Sequence, residues 1–90
     1  MRLMWHDDAW EEYLNWQQLD KKTLKKINSL IKSIERNGYK CIGKPEPLSE
    51  NLAGFWSVRI DHKNRIVFKI IEATIEIVEC GSHYGDHKKN

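Results

Sequence analysis

Two arginines in the second half of the chain are placed to contact a shared anion. Arg59 lies in the run FWSVRI, and Arg65 begins the run RIVFKII. If a three-residue turn at 62–64 places Asp61 opposite Arg65, side-chain alternation puts both arginines on one face of a hairpin. The apolar set on the other face is then Val58, Ile60, Ile66, Phe68 and Ile70. A guanidinium offers five donors in a planar fork that fits phosphate oxygens, so the pair predicts a phosphate-binding face. Two solvated surface arginines are the alternative.

Three further residues have side chains suited to acid–base chemistry. Glu46 lies between Pro45 and Pro47, and the two proline rings restrict the backbone around it, which limits where its carboxylate can point. His83 and Tyr84 follow the last apolar run, and imidazole is a natural general acid or base near neutral pH. Glu46 is thus a candidate general base and His83 a candidate acid or base. A turn carboxylate and a surface histidine are the alternatives.

Motifs for metal ions and nucleotides are absent from the sequence. The four histidines form no HxxxH or HExxH pattern, and Cys41 and Cys80 lack the spacing of thiolate ligands. No GxSxG elbow, GxxxxGK[ST] loop or GxGxxG run occurs. We therefore expect no metal and no cofactor.

Two helices are predicted in the first half of the chain. After a short strand at residues 1–5, with Asp7 or Asp8 as the cap, apolar residues recur at helical spacing from Ala9 to Leu19. Asp20 restarts the helical pattern, which continues between Lys21 and Asn37, and Gly38 is expected to close it in a left-handed conformation. Lysines lie mainly off the apolar stripe of the second helix: Lys21, Lys22, Lys25, Lys26 and Lys32.

A loop and three strands are predicted in the second half. Residues 38–54 hold both prolines and three of the five glycines, which favours an ordered connecting loop. The runs 55–60, 65–71 and 74–80 are rich in β-branched or aromatic residues, as strands are. The order β-α-α-β-β-β predicts an α+β fold in which a small antiparallel sheet is packed on one face by two N-terminal helices. The other face is left to solvent or to a partner.

Composition limits the chain to one small domain. Its 90 residues carry a net charge of +2, too little to indicate a nucleic-acid partner without the positions of the basic residues. We expect a single domain at 1–84 and a solvated tail at 85–90. Two cysteines are too few for a disulfide-stapled secreted scaffold, and neither a signal peptide nor a run of about 20 apolar residues is present. These features predict a cytoplasmic protein without a membrane segment.

The chain resembles a known family in an ordered set of motifs. These are GKPEPL, NLAGFWSVRI, NRIVF and the His83-Tyr84 pair, together with Trp5, Trp10, Tyr13, Trp16 and Asp20. Residues 1–84 are in this way similar to the YoeB family of the RelE-like superfamily, whose members are ribosome-dependent mRNA interferase toxins. The resemblance implies a microbial-ribonuclease-like fold and cleavage of mRNA in the ribosomal A site.

The same resemblance implies roles for the candidate residues. Glu46 corresponds to the general base and His83 to the general acid, with Arg65 and Tyr84 completing the catalytic set and Arg59 contacting phosphate. In this scheme a ribose 2′-hydroxyl attacks its own 3′-phosphate without a metal. Lys44 and the helix lysines Lys21, Lys22, Lys25 and Lys26 are candidate RNA-binding residues, a solvated helix face being the alternative.

The implied partners are the 70S ribosome with its mRNA and a cognate YefM-like antitoxin, in a homodimer or a heteromer with that antitoxin. Val58, Ser49 and Glu50 depart from the more basic pattern of the family, and we expect them to lower the positive charge near the RNA. A non-catalytic module that binds RNA or protein on the open sheet face, and a purely structural protein, are the alternative functions.

Overall fold

Two helices, five strands and two short 3-10 turns make up residues 1–81, the part of the chain described by the structure, a computed structural model. The elements are β1 (Arg2–Trp5), α1 (Asp7–Leu19), α2 (Lys21–Asn37), β2 (Glu46–Pro47), β3 (Trp56–Arg59), β4 (Arg65–Ile71) and β5 (Thr74–Cys80). The turns span Gly38–Lys40 and Glu50–Leu52. His83, Tyr84 and the expected tail at 85–90 lie outside the described residues.

The strands form one sheet in the order β1-β5-β4-β3-β2, and both helices pack on one of its faces. The α+β fold class is confirmed, but the sheet is mixed, because β1 pairs in parallel with β5 while the other pairs are antiparallel. The strands predicted at 65–71 and 74–80 are correct, and the one predicted at 55–60 is shorter. Within the predicted loop, β2 is an unforeseen strand of two residues. It lies at the sheet edge, where proline is tolerated because the outer N–H positions need no strand partner.

The core lies between the helices and the sheet. Fully buried residues from α2 face fully buried residues from three strands: Ile27, Leu30 and Ile34 against Val58, Ile66, Phe68, Ile75, Ile77 and Cys80. The alternation of β3 and β4 thus sends Val58, Ile66 and Phe68 toward the helices, as predicted. Burial of so many branched and aromatic side chains supplies the main driving force for this small fold.

The turn between β3 and β4 differs from the prediction in register. Arg59, rather than Asp61, lies opposite Arg65. The Asp61 carboxylate accepts hydrogen bonds from the backbone N–H groups of Lys63 (2.8 Å) and Asn64 (2.7 Å), which draws Asp61 into a wider turn. Because the shift is an even number of residues, every side chain keeps its predicted face.

The first helix begins earlier than predicted. Its N-cap is His6, in extended conformation and without a side-chain capping bond, so the expected cap at Asp7 or Asp8 is wrong. Both aspartates lie in the first turn of α1. There a carboxylate is favoured by the exposed N–H groups and the positive end of the helix dipole, without itself being the cap.

The second helix has the predicted ends. Asp20 is its N-cap, and its carboxylate accepts from the backbone N–H groups of Lys22 (3.0 Å) and Thr23 (3.4 Å). Gly38 is its C-cap with φ of 61°. Its ψ of −134° differs from the expected left-handed helical value. The positive φ still explains why glycine suits this position.

Candidate active site

The sheet face turned away from the helices, here called the site face, carries a row of four side chains. Glu46 of β2 lies opposite Ser57 of β3, Ser57 opposite Val67 of β4, and Val67 opposite Glu79 of β5. Residues directly opposite one another in a sheet have Cβ atoms only about 5 Å apart, so neighbours in this row can interact. The row brings together strands that are up to 33 residues apart in the chain, from Glu46 to Glu79.

Arg65 connects two members of this row. Its Nη1 atom lies 2.8 Å from Glu46 Oε1 and donates a second hydrogen bond to Ser57 Oγ at 3.1 Å. The Arg65 side chain is 22% exposed and that of Glu46 52%. Partial burial reduces screening of the ion pair by water, and a carboxylate partner makes the hydrogen bond charge-assisted. The guanidinium is therefore held in a defined place.

Arg59 lies beside this cluster, directly opposite Arg65. The prediction that the two arginines share one sheet face is confirmed. Like charges opposite each other repel, and the carboxylate of Glu46 offsets that repulsion. Since Arg59 is exposed, its side chain is accessible to an anion on the same face as Arg65.

The backbone before β2 sets the position of Glu46. Gly43 has φ of 95°, and its carbonyl accepts a hydrogen bond of 2.8 Å from the Arg59 N–H. A Cβ atom at Gly43 would lie 2.7 Å from a methyl group of Leu30, so this segment passes tightly over the core. After β2, the Leu48 N–H donates to Phe55 O at 2.9 Å. Glu46 is thus held by backbone bonds on both sides, in addition to the flanking prolines.

Ser57 is a member of the cluster that sequence reasoning missed. Side-chain alternation could have identified Ser57, since a residue two positions before Arg59 on a strand shares the face of Arg59. Ser57 and Val67 are fully buried, although the site face was expected to be open. Both lie on inner strands, and Arg65 lies across Ser57. The exposed residues of this cluster are Glu46 and Arg59, at either side of the buried Ser57.

The basic residues of α2 are not brought together with this cluster. Lys21, Lys22, Lys25, Lys26 and Lys32 are all exposed. They belong to the helical layer, whose apolar side covers the opposite face of the sheet. Lys44 is exposed with φ of 54° and precedes β2 by two residues. Only Lys44 among these lysines is near the cluster in sequence, and the helix lysines form a separate basic surface.

The three residues that depart from the family pattern have different environments. Val58 is fully buried among the core residues under the helices. The expectation that Val58 lowers the charge along an RNA path is therefore wrong, because its side chain points away from the site face. Ser49 and Glu50 are exposed next to β2, and Glu50 begins a 3-10 turn with φ of 57°.

The described chain ends beside Arg65. The Gly81 N–H donates a 2.8 Å hydrogen bond to Arg65 O. His83 and Tyr84 come two and three residues later in the sequence, outside the described residues, so their predicted roles are not tested.

The described part of the site offers a carboxylate that can accept a proton and guanidiniums that can neutralise a phosphate. Within residues 1–81, no three His, Cys, Asp or Glu side chains are grouped as metal ligands.

Neither described helix is long and apolar enough to cross a membrane.

Comparison with known proteins defines the class. Residues 5–84 match the family model for the YoeB-like toxin of bacterial type II toxin-antitoxin systems. The chain thus has the fold of a toxin from such a system. Toxin YoeB of Escherichia coli K12 is 45% identical over 84 residues, which cover 93% of this chain and 100% of that protein. The chain belongs to the YoeB toxin family.

Solved structures agree with this assignment. The heterotetrameric YoeB-YefM toxin-antitoxin complex from Staphylococcus aureus includes a chain of 46% identity and TM-score 0.86, with 93% of this chain and 98% of that chain covered. The YoeB dimer from the same organism matches with 46% identity and TM-score 0.85 over the same shares.

Proposed function

We propose that this toxin is a ribosome-dependent endoribonuclease that cuts mRNA in the ribosomal A site and so inhibits translation in the cytoplasm. The observation that carries the proposal is the contact of Arg65 with Glu46 on the site face, with Arg59 directly opposite. A carboxylate and two guanidiniums on the described site face, together with His83, which follows Gly81 by two residues in the sequence, would provide the groups needed to cleave RNA without a metal. Family membership supports the same function.

The reaction is an internal transfer followed by departure of a ribose oxygen. Glu46 removes the proton of a ribose 2′-hydroxyl, and the oxygen attacks the adjacent phosphorus. A 2′,3′-cyclic phosphate forms as the bond from phosphorus to the 5′-oxygen of the next nucleotide breaks. His83 donates a proton to that oxygen, while Tyr84 orients the phosphate or stacks on a base. Because the nucleophile is a 2′-hydroxyl, the substrate is RNA and not DNA.

Arg65 has two tasks in this scheme. Through Nη1 it holds the Glu46 carboxylate and contacts Ser57. A guanidinium has five N–H donors, so the donors on the other two nitrogen atoms can bind the oxygens of the phosphorane. Arg59 places a second positive charge beside the same phosphorane and stabilises it further. One side chain thereby positions the base and stabilises the charge that the base creates.

Docking on the ribosome is assigned to the exposed lysines. Lys21, Lys22, Lys25 and Lys26 contact ribosomal RNA phosphates, and Lys44 contacts RNA beside β2. Their place on the helical layer leaves the site face free for mRNA. A phosphate-binding surface of this kind loses affinity as the salt concentration rises.

The proposed protein partner is a YefM-like antitoxin, as in the Staphylococcus aureus complex. A disordered acidic segment that folds on the site face would cover Arg59 and Arg65 and block access to RNA. The toxin on its own forms a homodimer in this proposal, and with the antitoxin it forms a heteromer.

The test is cleavage of one mRNA on programmed ribosomes and as free RNA. We expect wild type to cut only on ribosomes, and Glu46→Gln and His83→Ala to cut at least about 100-fold more slowly, as loss of a general base or acid predicts. Glu11→Gln, at an exposed glutamate of α1 in the helical layer, is the matched control with wild-type activity. Equal cutting of free RNA would indicate an ordinary ribonuclease. Ribosome binding without cutting by wild type would indicate the non-catalytic module.

A further inference from the structure

The backbone of Cys80, the last residue of β5, is held by two side chains of α1. Glu12 Oε1 accepts a 2.7 Å hydrogen bond from the Cys80 N–H, and Trp16 Nε1 donates a 3.1 Å hydrogen bond to Cys80 O. Residues four apart share one face of a helix, so Glu12 and Trp16 reach the sheet together. We call this pair the Glu12–Trp16 clamp.

The clamp supplies the backbone hydrogen bonds that β1 is too short to provide at the end of β5. On one side β5 pairs with β1, and that pairing stops at Trp5 opposite Ile77. Cys80 extends three residues further, and it lies opposite Ile66 of β4 on its other side. Backbone N–H and C=O groups at such a buried position require partners. Because α1 follows β1 directly, its side chains supply both bonds to Cys80.

Gly81 extends the contact toward the candidate active site. A Cβ atom at Gly81 would lie 2.1 Å from Trp16 Nε1, and its φ is 105°, so both space and conformation require glycine here. The Gly81 N–H in turn donates to Arg65 O at 2.8 Å. A continuous series of contacts therefore runs from α1, through Cys80 and Gly81, to the backbone of Arg65.

We propose that Glu12 and Trp16 are positioning residues for RNA cleavage, although they lie in the helical layer and contact no RNA. The clamp fixes the backbone of Cys80 and Gly81, and through the hydrogen bond from the Gly81 N–H to Arg65 O it holds the start of β4. His83 follows Gly81 by two residues in the sequence. The inference rests on the proposed function. Proton transfer and phosphate binding tolerate little misplacement, since an error of about 1 Å can cost about 100-fold in rate.

The experiment compares variants that remove one bond of the clamp with variants that keep it. Trp16→Phe removes the indole donor, and Glu12→Ala removes the acceptor, whereas Glu12→Gln keeps a side-chain oxygen able to accept from the Cys80 N–H. Trp10→Phe is the matched control, because Trp10 stacks on Tyr13 in the same helix. In steady-state cleavage on programmed ribosomes, Trp16→Phe and Glu12→Ala should lower kcat about 10- to 100-fold with KM changed less than about twofold. Glu12→Gln and Trp10→Phe should remain near wild type.

Two further measurements keep the inference separate from simple loss of stability and from failure of the proposed function. Amide hydrogen exchange at Cys80 and Gly81 should be faster in Trp16→Phe and Glu12→Ala than in wild type at temperatures where all variants are folded. In a His83→Ala background, Trp16→Phe should cause little additional loss of rate, since both changes act on one step.

Wild-type kcat in folded Trp16→Phe and Glu12→Ala would overturn the inference. If wild type cuts no mRNA, the proposed function fails, and unprotected Cys80 and Gly81 amides in wild type would refute the clamp itself.

Discussion

Ser57 shows how a small side chain can order a charged one. Its buried hydroxyl accepts a hydrogen bond from Arg65, the same guanidinium that pairs with Glu46. Loss of such a bond typically costs about 1 kcal/mol or slightly more of stability. The larger consequence is expected in the site, because Arg65 would keep only one of these two fixed contacts.

We predict that Ser57→Ala lowers mRNA cleavage by about tenfold while the protein stays folded, since the Arg65 fork becomes less well oriented. Single-turnover cleavage on programmed ribosomes, with urea denaturation to monitor folding, measures both effects. The control is Ser49→Ala, which removes an exposed hydroxyl near the same site. Unchanged cleavage by Ser57→Ala would show that the Glu46 contact alone is sufficient to orient Arg65.

The Cys80 thiol is fully buried in the folded protein. Burial raises the pKa of its thiol to about 12, and the nearby Glu12 carboxylate acts in the same direction. Because the thiolate is the reactive form, we predict negligible alkylation of Cys80 by iodoacetamide at pH 8 in native protein and rapid alkylation in urea. Mass spectrometry of the modified peptide measures this difference. Rapid modification of the native thiol would contradict the burial of Cys80 under α1.

Among the elements, α2 depends on its cap at Asp20. Hydrogen bonds from Thr23, first from its side chain and then from its backbone, lower the pKa of the Asp20 carboxyl. A carboxyl with a lowered pKa in the folded state stabilises the protein at pH values above its unfolded pKa. That contribution is lost as the pH falls through the folded pKa.

We predict that Asp20→Ala lowers Tm by a few degrees at pH 7, and that the difference from wild type shrinks below about pH 4 as the wild-type carboxyl becomes protonated. Asp20→Asn is the control, because asparagine caps a helix without titrating. Thermal unfolding followed by circular dichroism at pH 3 and pH 7 provides the measurement. A difference independent of pH would assign the effect to something other than the charged cap.

The approach to β2 depends on Gly43. We predict that Gly43→Ala destabilises the fold by about 1–3 kcal/mol, because it combines a strained positive φ with overpacking against Leu30 and Val58. Gly54→Ala isolates the clash, since Gly54 has nearly the same φ, 94°, but no atom within 4 Å of its added Cβ. Urea denaturation should therefore show a larger loss of stability for Gly43→Ala. Equal effects would mean that the core yields to the extra methyl group at little cost.

In the molecule as a whole, the net charge is only +2, but the basic residues are grouped in two separate surfaces. The arginines lie on the site face, and the lysines lie on the helical layer on the other side of the sheet. A long RNA such as that of a ribosome can contact one surface while a separate RNA strand contacts the other. This separation predicts that docking and cleavage can be impaired independently.

We predict that the double change Lys25→Glu and Lys26→Glu weakens ribosome association and lowers its salt dependence by about one unit of log–log slope for each RNA phosphate that is no longer neutralised. Co-sedimentation with ribosomes at several salt concentrations measures the slope. Lys40→Glu with Lys63→Glu removes the same charge from exposed positions outside α2 and should have a smaller effect. Equal effects would indicate that only total charge matters, as expected for a merely solvated helix face.

Much of the fold and part of the site were predictable from local patterns. The 3.6-residue period and its flanking Asp20 and Gly38 specify α2, and strict alternation in β3 and β4 places Arg59 and Arg65 on one face. The Asp61–Arg65 pairing was wrong because turn hydrogen bonds, which alternation does not report, decide the register. The roles of His83 and Tyr84 stay predictions.

Local sequence specifies the helix periods, the strand alternation, the proline-flanked Glu46 and the motifs that indicated the YoeB family. Which distant segments meet is specified by the packing of the folded chain. It placed β1 parallel to β5, set the short β2 beside β3, joined Glu46 to Ser57 through Arg65, and brought α1 to the end of β5. The physical reason is that these contacts depend on how the whole core packs and on which backbone groups remain without a strand partner, and neither property is encoded in a local window.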